Sequence, residues 1–402
     1  MAKRRINRAE EPKAKRNKSG KSTNIEAITL ERAPNYPRDP DYYFEDGSVV
    51  LLVQDVLFKI HASLLKAQSQ VFQDMFTMPV GNAANSIEGI SDQDPIVIPQ
   101  VKPHQFRNLL KMIYSPASSK FHTSLKTRND EDSTLKNNAW SIFTFYLDVA
   151  TLCHRFGMAE MEEWAQKRLQ AHISLCTEGI AHEANVDPGS LLDAIQYSKT
   201  TQDHQLIRDT QHLTYYYICG LELDLESRAL MTLFRTPGLR VNHPSIFGCI
   251  FSTFLAEEYH VWEHKSFTKV DRMALFSGQV RLSPIPESFK KDIRSPLFEK
   301  PKSLQRFRKT VTLYLCDDGP PCGHKCDQMI MDLWLGIFEE DYYEDGVGVA
   351  WFPLLARYRS EFVEEARKMK CCRDCNTRFI KQLDEDIELV YVRLGEYYRK
   401  IE

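Results

Sequence analysis

Two groups of residues have types and spacings that could do chemistry. Near the C-terminus the cysteines cluster as "CDDGPPCGHKC" (Cys316, Cys322, His324, Cys326) and "CCRDC" (Cys371, Cys372, Cys375). Zinc takes four soft ligands in a tetrahedron, and closely spaced cysteine pairs supply two each. Cys372 and Cys375 have the C-x-x-C spacing, and Cys322 and Cys326, on a Gly-His turn, form a second pair. Cys316 and Cys371 are spare, and His324 lies too close to its flanking cysteines to be a preferred ligand. The plainer reading is a set of reduced thiols at turns and helix ends. The other is a structural zinc held by Cys322, Cys326, Cys372 and Cys375. A redox C-x-x-C is disfavoured because the βαβ pattern that normally carries one is missing.

The second group centres on His61, in "FKIHASLLKAQSQVFQDMF" (58–76), where a strand-like run gives way to a helix-like one. No carboxylate or nucleophile is placed in sequence to make this histidine catalytic. A lone histidine in an apolar setting is usually a hydrogen-bonded structural group. Other enzymatic signals are weak. "SGKS" (19–22) lacks the first glycine and the preceding strand of a phosphate loop. His182-Glu183 has no second histidine at zinc-protease spacing, and Tyr215–Tyr217 lie in a predicted helix as packing residues. The chain reads as non-enzymatic.

The elements that position these residues follow from periodicity. "SVVLLV" and "VLFKI", separated by Gln54-Asp55, read as a hairpin covered on both faces. Leu64, Leu65, Val71, Phe72, Met75 and Phe76 recur at helical spacing over two short helices, broken near Gln68-Ser69. "PIVIP" reads as a strand and "KPHQFRNLLKMIYSP" as an amphipathic helix stopped by Pro116. Residues 140–173 give two helices meeting at Gly157. From about 177 to 310 the pattern is mostly helical, and the last ninety residues hold six of the ten cysteines.

Composition bounds the class. With 402 residues, 43% apolar and 27% charged, the chain suits two or three globular domains. No stretch approaches the roughly 18–20 apolar residues that span a bilayer, and no apolar h-region marks a signal peptide. The expectation is an intracellular protein, nuclear or cytoplasmic, with reduced cysteines. A net charge of −3 gives no reason to expect nucleic-acid binding. The first twenty-one residues nevertheless hold nine Lys and Arg, against Glu10 and Glu11. They read as a solvated disordered tail, or alternatively as a nuclear import signal with clusters at Lys3–Arg5 and Lys13–Lys18.

The order hairpin, two short helices, strand, helix, two helices between residues 40 and 175 resembles the BTB (POZ) domain. His61, Leu65, Ser69, Phe72 and Phe76 match the family's His-Leu-Ser-aromatic-aromatic signature without a gap. "FRNLLKMIY" (106–114) and "VATLCHRFGM" (149–158) resemble its third and closing helices, and "PDYYFEDGSVVLLVQD" resembles fungal BTB-domain proteins. The resemblance implies that His61 is structural and that the domain binds proteins. It also implies homodimers, formed by swapped N-terminal strand contacts and packed first helices. Many repressor members hold an Asp and an Arg or Lys where this chain has Ser48 and Ala62, so a charged corepressor groove is not expected. Family members that serve as cullin adaptors carry a hydrophobic-x-acidic triplet, for which Tyr146-Leu147-Asp148 is the matching place.

The expected fold class is α+β: an N-terminal BTB/POZ fold of short strands capped by a helical cluster, then a mostly α-helical region. The expected divisions are a basic tail (1–38), the BTB domain (39–175), a helical region (176–310) and a cysteine-containing helical segment (311–402). The expected function is protein–protein interaction with self-association. The alternatives are a cullin-ligase substrate adaptor, with Tyr146 and Asp148 as cullin contacts, and a nuclear transcription regulator. No membrane is expected, and no cofactor beyond the zinc.

Overall fold

The computed structural model describes residues 36–77, 88–115, 138–221, 228–311, 326–344 and 347–399. The basic tail with its two Lys/Arg clusters lies outside them, as do Cys316, Cys322 and His324. The first element begins at the end of the expected basic tail (1–38). Strand β1 (Arg38–Tyr43) runs parallel to β3 (Val56–Ile60), with a register shift between its ends. Its Pro40 is tolerated because β1 is an edge strand. Asp39 pins β1 from inside: it is buried, accepts the amides of Asp41 and Tyr42, and accepts from Arg107 Nε at 2.6 Å.

The hairpin forms as its two aliphatic runs suggest. β2 (Val49–Val53) pairs antiparallel with β3, from Val49–Ile60 to Val53–Val56, and Gln54 takes the left-handed turn conformation at φ 53°. β4 (Ile96–Ile98) adds parallel to β2, giving the order β1-β3-β2-β4. All five β2 side chains are buried. Val49, Leu51 and Val53 face the main core, and Val50 and Leu52 join Leu57 on the other face under Tyr36 and Tyr43.

Helices α1 (Ala62–Gln68) and α2 (Gln70–Met75) follow, separated by an extended Ser69. Then come α3 (Pro103–Tyr114), α4 (Ala139–Arg155) and α5 (Ala159–Ala181). The α4–α5 corner turns at Gly157, whose φ of 63° explains why glycine stands there. Helix α5 runs across the expected 175/176 division, where Cys176 leaves helical geometry at φ −129°, ψ 20°.

The rest is helical. It comprises α6 (Pro188–Thr201), α7 (His204–Gly220), α8 (Arg228–Phe234), α9 (Leu239–Asn242), α10 (Pro244–Ala256), α11 (Tyr259–Trp262), α12 (Lys269–Arg281) and α13 (Glu287–Lys290). These are followed by α14 (Leu304–Thr310), α15 (Cys326–Ile337), α16 (Glu340–Glu344), a 3-10 helix (Val349–Leu354), α17 (Leu355–Lys368) and α18 (Arg373–Tyr397). Helix α10 is the hub. Ser245 through Leu255 are all buried, as expected of a helix apolar on every side. Helix α18 crosses it so closely that a Cβ on Gly248 would lie 1.7 Å from the Tyr391 carbonyl oxygen. One buried cluster runs from Val49 to Leu394, so the expected divisions share a single core. No described helix is long and apolar enough to cross a membrane.

Candidate functional site

His61 stands at the end of β3, just before α1, as its sequence context suggested, and its ring is partnered by a side chain. The Tyr114 hydroxyl, at the end of α3, lies 3.0 Å from His61 Nδ1 and accepts the His61 amide at 2.9 Å. Phe44 packs against both rings, with centroids 5.3 Å from His61 and 5.0 Å from Tyr114. On the outer side His61 Nε2 lies 3.3 Å from Asp46, and the hydrogen bond holds the exposed Asp46 carboxyl below its usual range. The imidazole thus ties sheet, α1 and α3 together.

The other signature residues have separate tasks. Leu65 and Phe72 are fully buried. Ser69 is buried, accepts the Phe72 amide as the N-cap of α2, and donates to the Phe156 carbonyl at the α4–α5 corner. Phe72 meets Phe156 at 4.6 Å and stacks on Phe76 at 5.6 Å. Ser48 Oγ accepts the Ala62 amide at 2.9 Å. This neutral hydrogen bond satisfies a donor at the start of α1.

This arrangement is a sheet with paired short helices behind a buried serine, closed by a two-helix corner. A family model for the BTB/POZ domain matches residues 45–131. The chain carries a BTB/POZ domain. Such domains are protein–protein interaction modules. No curated protein matches the chain.

The candidate cullin triplet does not sit on the BTB/POZ surface. Tyr146 is fully buried, Leu147 is buried, and Asp148 is buried with its carboxylate accepting from Asn108 Nδ2 at 2.8 Å. This stretch of α4 faces α3, through Asn108, and α5, through Trp164 and His172. A surface contact through Tyr146 and Asp148 is corrected on that ground, since an acidic group turned inward has no face for a partner. Burial raises the Asp148 carboxyl despite the Asn108 hydrogen bond, the opposite of what an exposed docking charge would show.

Two further clusters lie outside the BTB/POZ domain. A cleft of about 1330 Å³ opens between α5, α7, α17 and the start of α18. Arg359 bridges to Asp384 through both guanidinium and carboxylate forks, at 2.8 and 3.0 Å. Asp209 lies near this pair and accepts from Gln205 at 3.0 Å, and burial pushes its carboxyl up to about 6 against the pull of Arg359. His212 bonds Ser360 Oγ at 2.8 Å, and burial together with Arg359 holds it well below 6.5. No local pattern in the sequence marks this network, because its members are joined only by tertiary packing. Tyr215, in the same helix, packs on Tyr391 at 4.8 Å, in keeping with a packing role.

The zinc alternative joins Cys322, Cys326, Cys372 and Cys375. Cys322 is outside the described residues, and the other three converge, with their sulfurs within 4.8 Å of one another. Cys371, held as a spare, is not part of that group.

Proposed function

We propose that this chain is a non-enzymatic interaction protein that associates with itself through its BTB/POZ domain. The observation that carries the reading is the family match over 45–131, with the structural part that His61 plays at the strand–helix junction. Helix α1 supports it. Only Leu65 of that helix is buried, while Ser63, Leu64, Ala67 and Gln68 face outward, and Val71 of α2 is exposed nearby in sequence. First helices are the elements that pack in homodimers of this family. The neutral Ser48–Ala62 bond leaves such packing without an unpaired buried charge, which would cost more than an apolar contact.

Sedimentation velocity of the full chain at micromolar concentration tests this. The expected species has twice the 46.7 kDa of one chain. Leu64→Glu should return it to one chain without lowering the melting temperature. A wild-type chain that sediments as a monomer overturns self-association. A cullin adaptor has no structural support from Tyr146 and Asp148, and the nuclear reading rests on a tail outside the described residues.

A further inference from the structure

The three sulfurs of Cys326, Cys372 and Cys375 come from two elements 46 residues apart, yet lie within 4.8 Å of one another. Cys326 opens α15, Cys372 is the N-cap of α18, and Cys375 lies in the first turn of α18. Two amides point at sulfur. Cys372 N–H donates to Cys326 Sγ and Cys375 N–H to Cys372 Sγ, each at 3.4 Å. Two helix starts meet here, and the N-terminal end of a helix carries partial positive charge that suits an anionic ligand set. Cys326 and Cys375 are buried, and Ile330 and Phe379, one turn along each helix, are buried beside them.

We propose that Cys326, Cys372 and Cys375 bind a zinc ion that locks the start of α15 to the start of α18. A disulfide would use two of these sulfurs and leave the third stranded in an apolar shell, whereas a metal uses all three. Three thiolates select a soft or borderline ion over magnesium or calcium, which take oxygen ligands. Tetrahedral Zn–S bonds of about 2.3 Å hold sulfurs about 3.8 Å apart, so the cluster needs to contract by at most about 1 Å. Amide donors to the sulfurs, with apolar cover, are what orients and shields thiolate ligands in such sites. Each thiol gives up its proton to solvent as it ligates, so binding releases three protons and weakens toward acid. The fourth position falls to one further donor, and the proposal rests on the three sulfurs alone. It is independent of self-association through the BTB/POZ domain.

The test uses the full chain, purified under reducing conditions without chelator. Elemental analysis should find about one zinc per chain. Cys372→Ser/Cys375→Ser should lose at least about nine-tenths of it, while Cys176→Ser, outside the cluster, keeps it. Because the double variant could misfold, wild-type chain stripped by chelation is also titrated with cobalt chloride. A thiolate-to-cobalt charge-transfer band should grow to saturation at about one equivalent and vanish when zinc is added. Three results would overturn the site. One is wild-type chain that carries no zinc and gives no cobalt band. Another is full zinc retention in the double variant. The third is a reversible Cys372–Cys375 disulfide with no metal uptake.

Discussion

At the residue scale, the BTB/POZ signature works through hydroxyls and imidazole that each hold two elements. The Tyr114 hydroxyl serves both the ring and the amide of His61, so its loss should cost more than loss of the ring. Tyr114→Phe leaves the His61 amide and Nδ1 without this partner, for which about 1–3 kcal/mol is expected. His61→Ala keeps the amide bond to the hydroxyl and removes a half-exposed ring, for about 0.5–1.5 kcal/mol. Chemical denaturation of both variants checks the order, and a larger loss for His61→Ala would refute it. His61 and Ser69 were legible in sequence because their spacing is local. Tyr114 as the partner was not, because a hydrogen bond across 53 residues leaves no periodic trace.

The cleft network gives a second residue-scale prediction, concerning pH. The Asp209 carboxyl is raised to about 6 by burial, from an ordinary 3.8. Between those values the folded chain keeps a proton that the unfolded chain has lost. Stability from this group is therefore present below the unfolded value and is lost as pH rises through about 6. His212 works in the opposite sense. Its folded form is held neutral, so its contribution is present above 6.5 and lost as pH falls. Asp209→Asn removes the first effect and leaves the second. The variant should gain on wild type by about 2–3 kcal/mol between about pH 4 and about pH 8. A difference in stability that stays constant across that range would show that Asp209 is not the group titrating.

At the element scale, what positions the C-terminal half is the crossing of α10 and α18. "PSIFGCIFSTFLA" (244–256) reads as a helix from its apolar density, and its uniform burial follows from having no polar face. That its glycine is a contact point could not be read, because the reason lies in a carbonyl near the other end of the helical region. Gly248→Ala would put a methyl 1.7 Å from Tyr391 O and 2.6 Å from its carbonyl carbon, both backbone atoms that cannot rotate away. The helices must separate, at an expected cost above about 3 kcal/mol. Gly336→Ala is the control. It lies on an exposed position of α15 with nothing within 4 Å of the added carbon, and should gain about 0.5–1 kcal/mol. Equal melting temperatures for the two variants would remove the close crossing. The missed strand β1 shows the complementary limit. Its proline and two aspartates signal a turn locally, and the edge position and the Asp39–Arg107 bond make it a strand.

At the scale of the whole molecule, divisions drawn from composition do not match the packing. The change in cysteine content near 311 looked like a boundary, yet the segment beyond it completes the core of the segment before it. Tyr391 packs on Tyr215 of α7, while Tyr398 packs on Phe234, Phe247 and Phe251. Polar ties run the same way. Gln211 donates to Glu388, and the Tyr398 hydroxyl and Arg235 both bond Asp271. Burial alone would raise the Asp271 carboxyl, but Arg235, Tyr398 and Thr268 bring it to about 2. A chain ending at residue 311 would keep the Arg235–Asp271 pair, lose Glu388, Tyr391 and Tyr398 as partners, and leave α10 open along the face that α18 covers. A buried Phe or Leu contributes roughly 1.5–3 kcal/mol. Uncovering four such side chains removes roughly 6–12 kcal/mol, which is as large as the stability of a typical domain. The truncated chain should therefore keep helical far-UV signal, bind a hydrophobic dye strongly, and show no cooperative melt. The same measurements on the intact chain should give a cooperative transition and weak dye binding. If the chain ending at 311 melts cooperatively, with near-UV dichroism like that of the whole protein, then the C-terminal segment is an attached unit and the shared core is not what holds the helical region together.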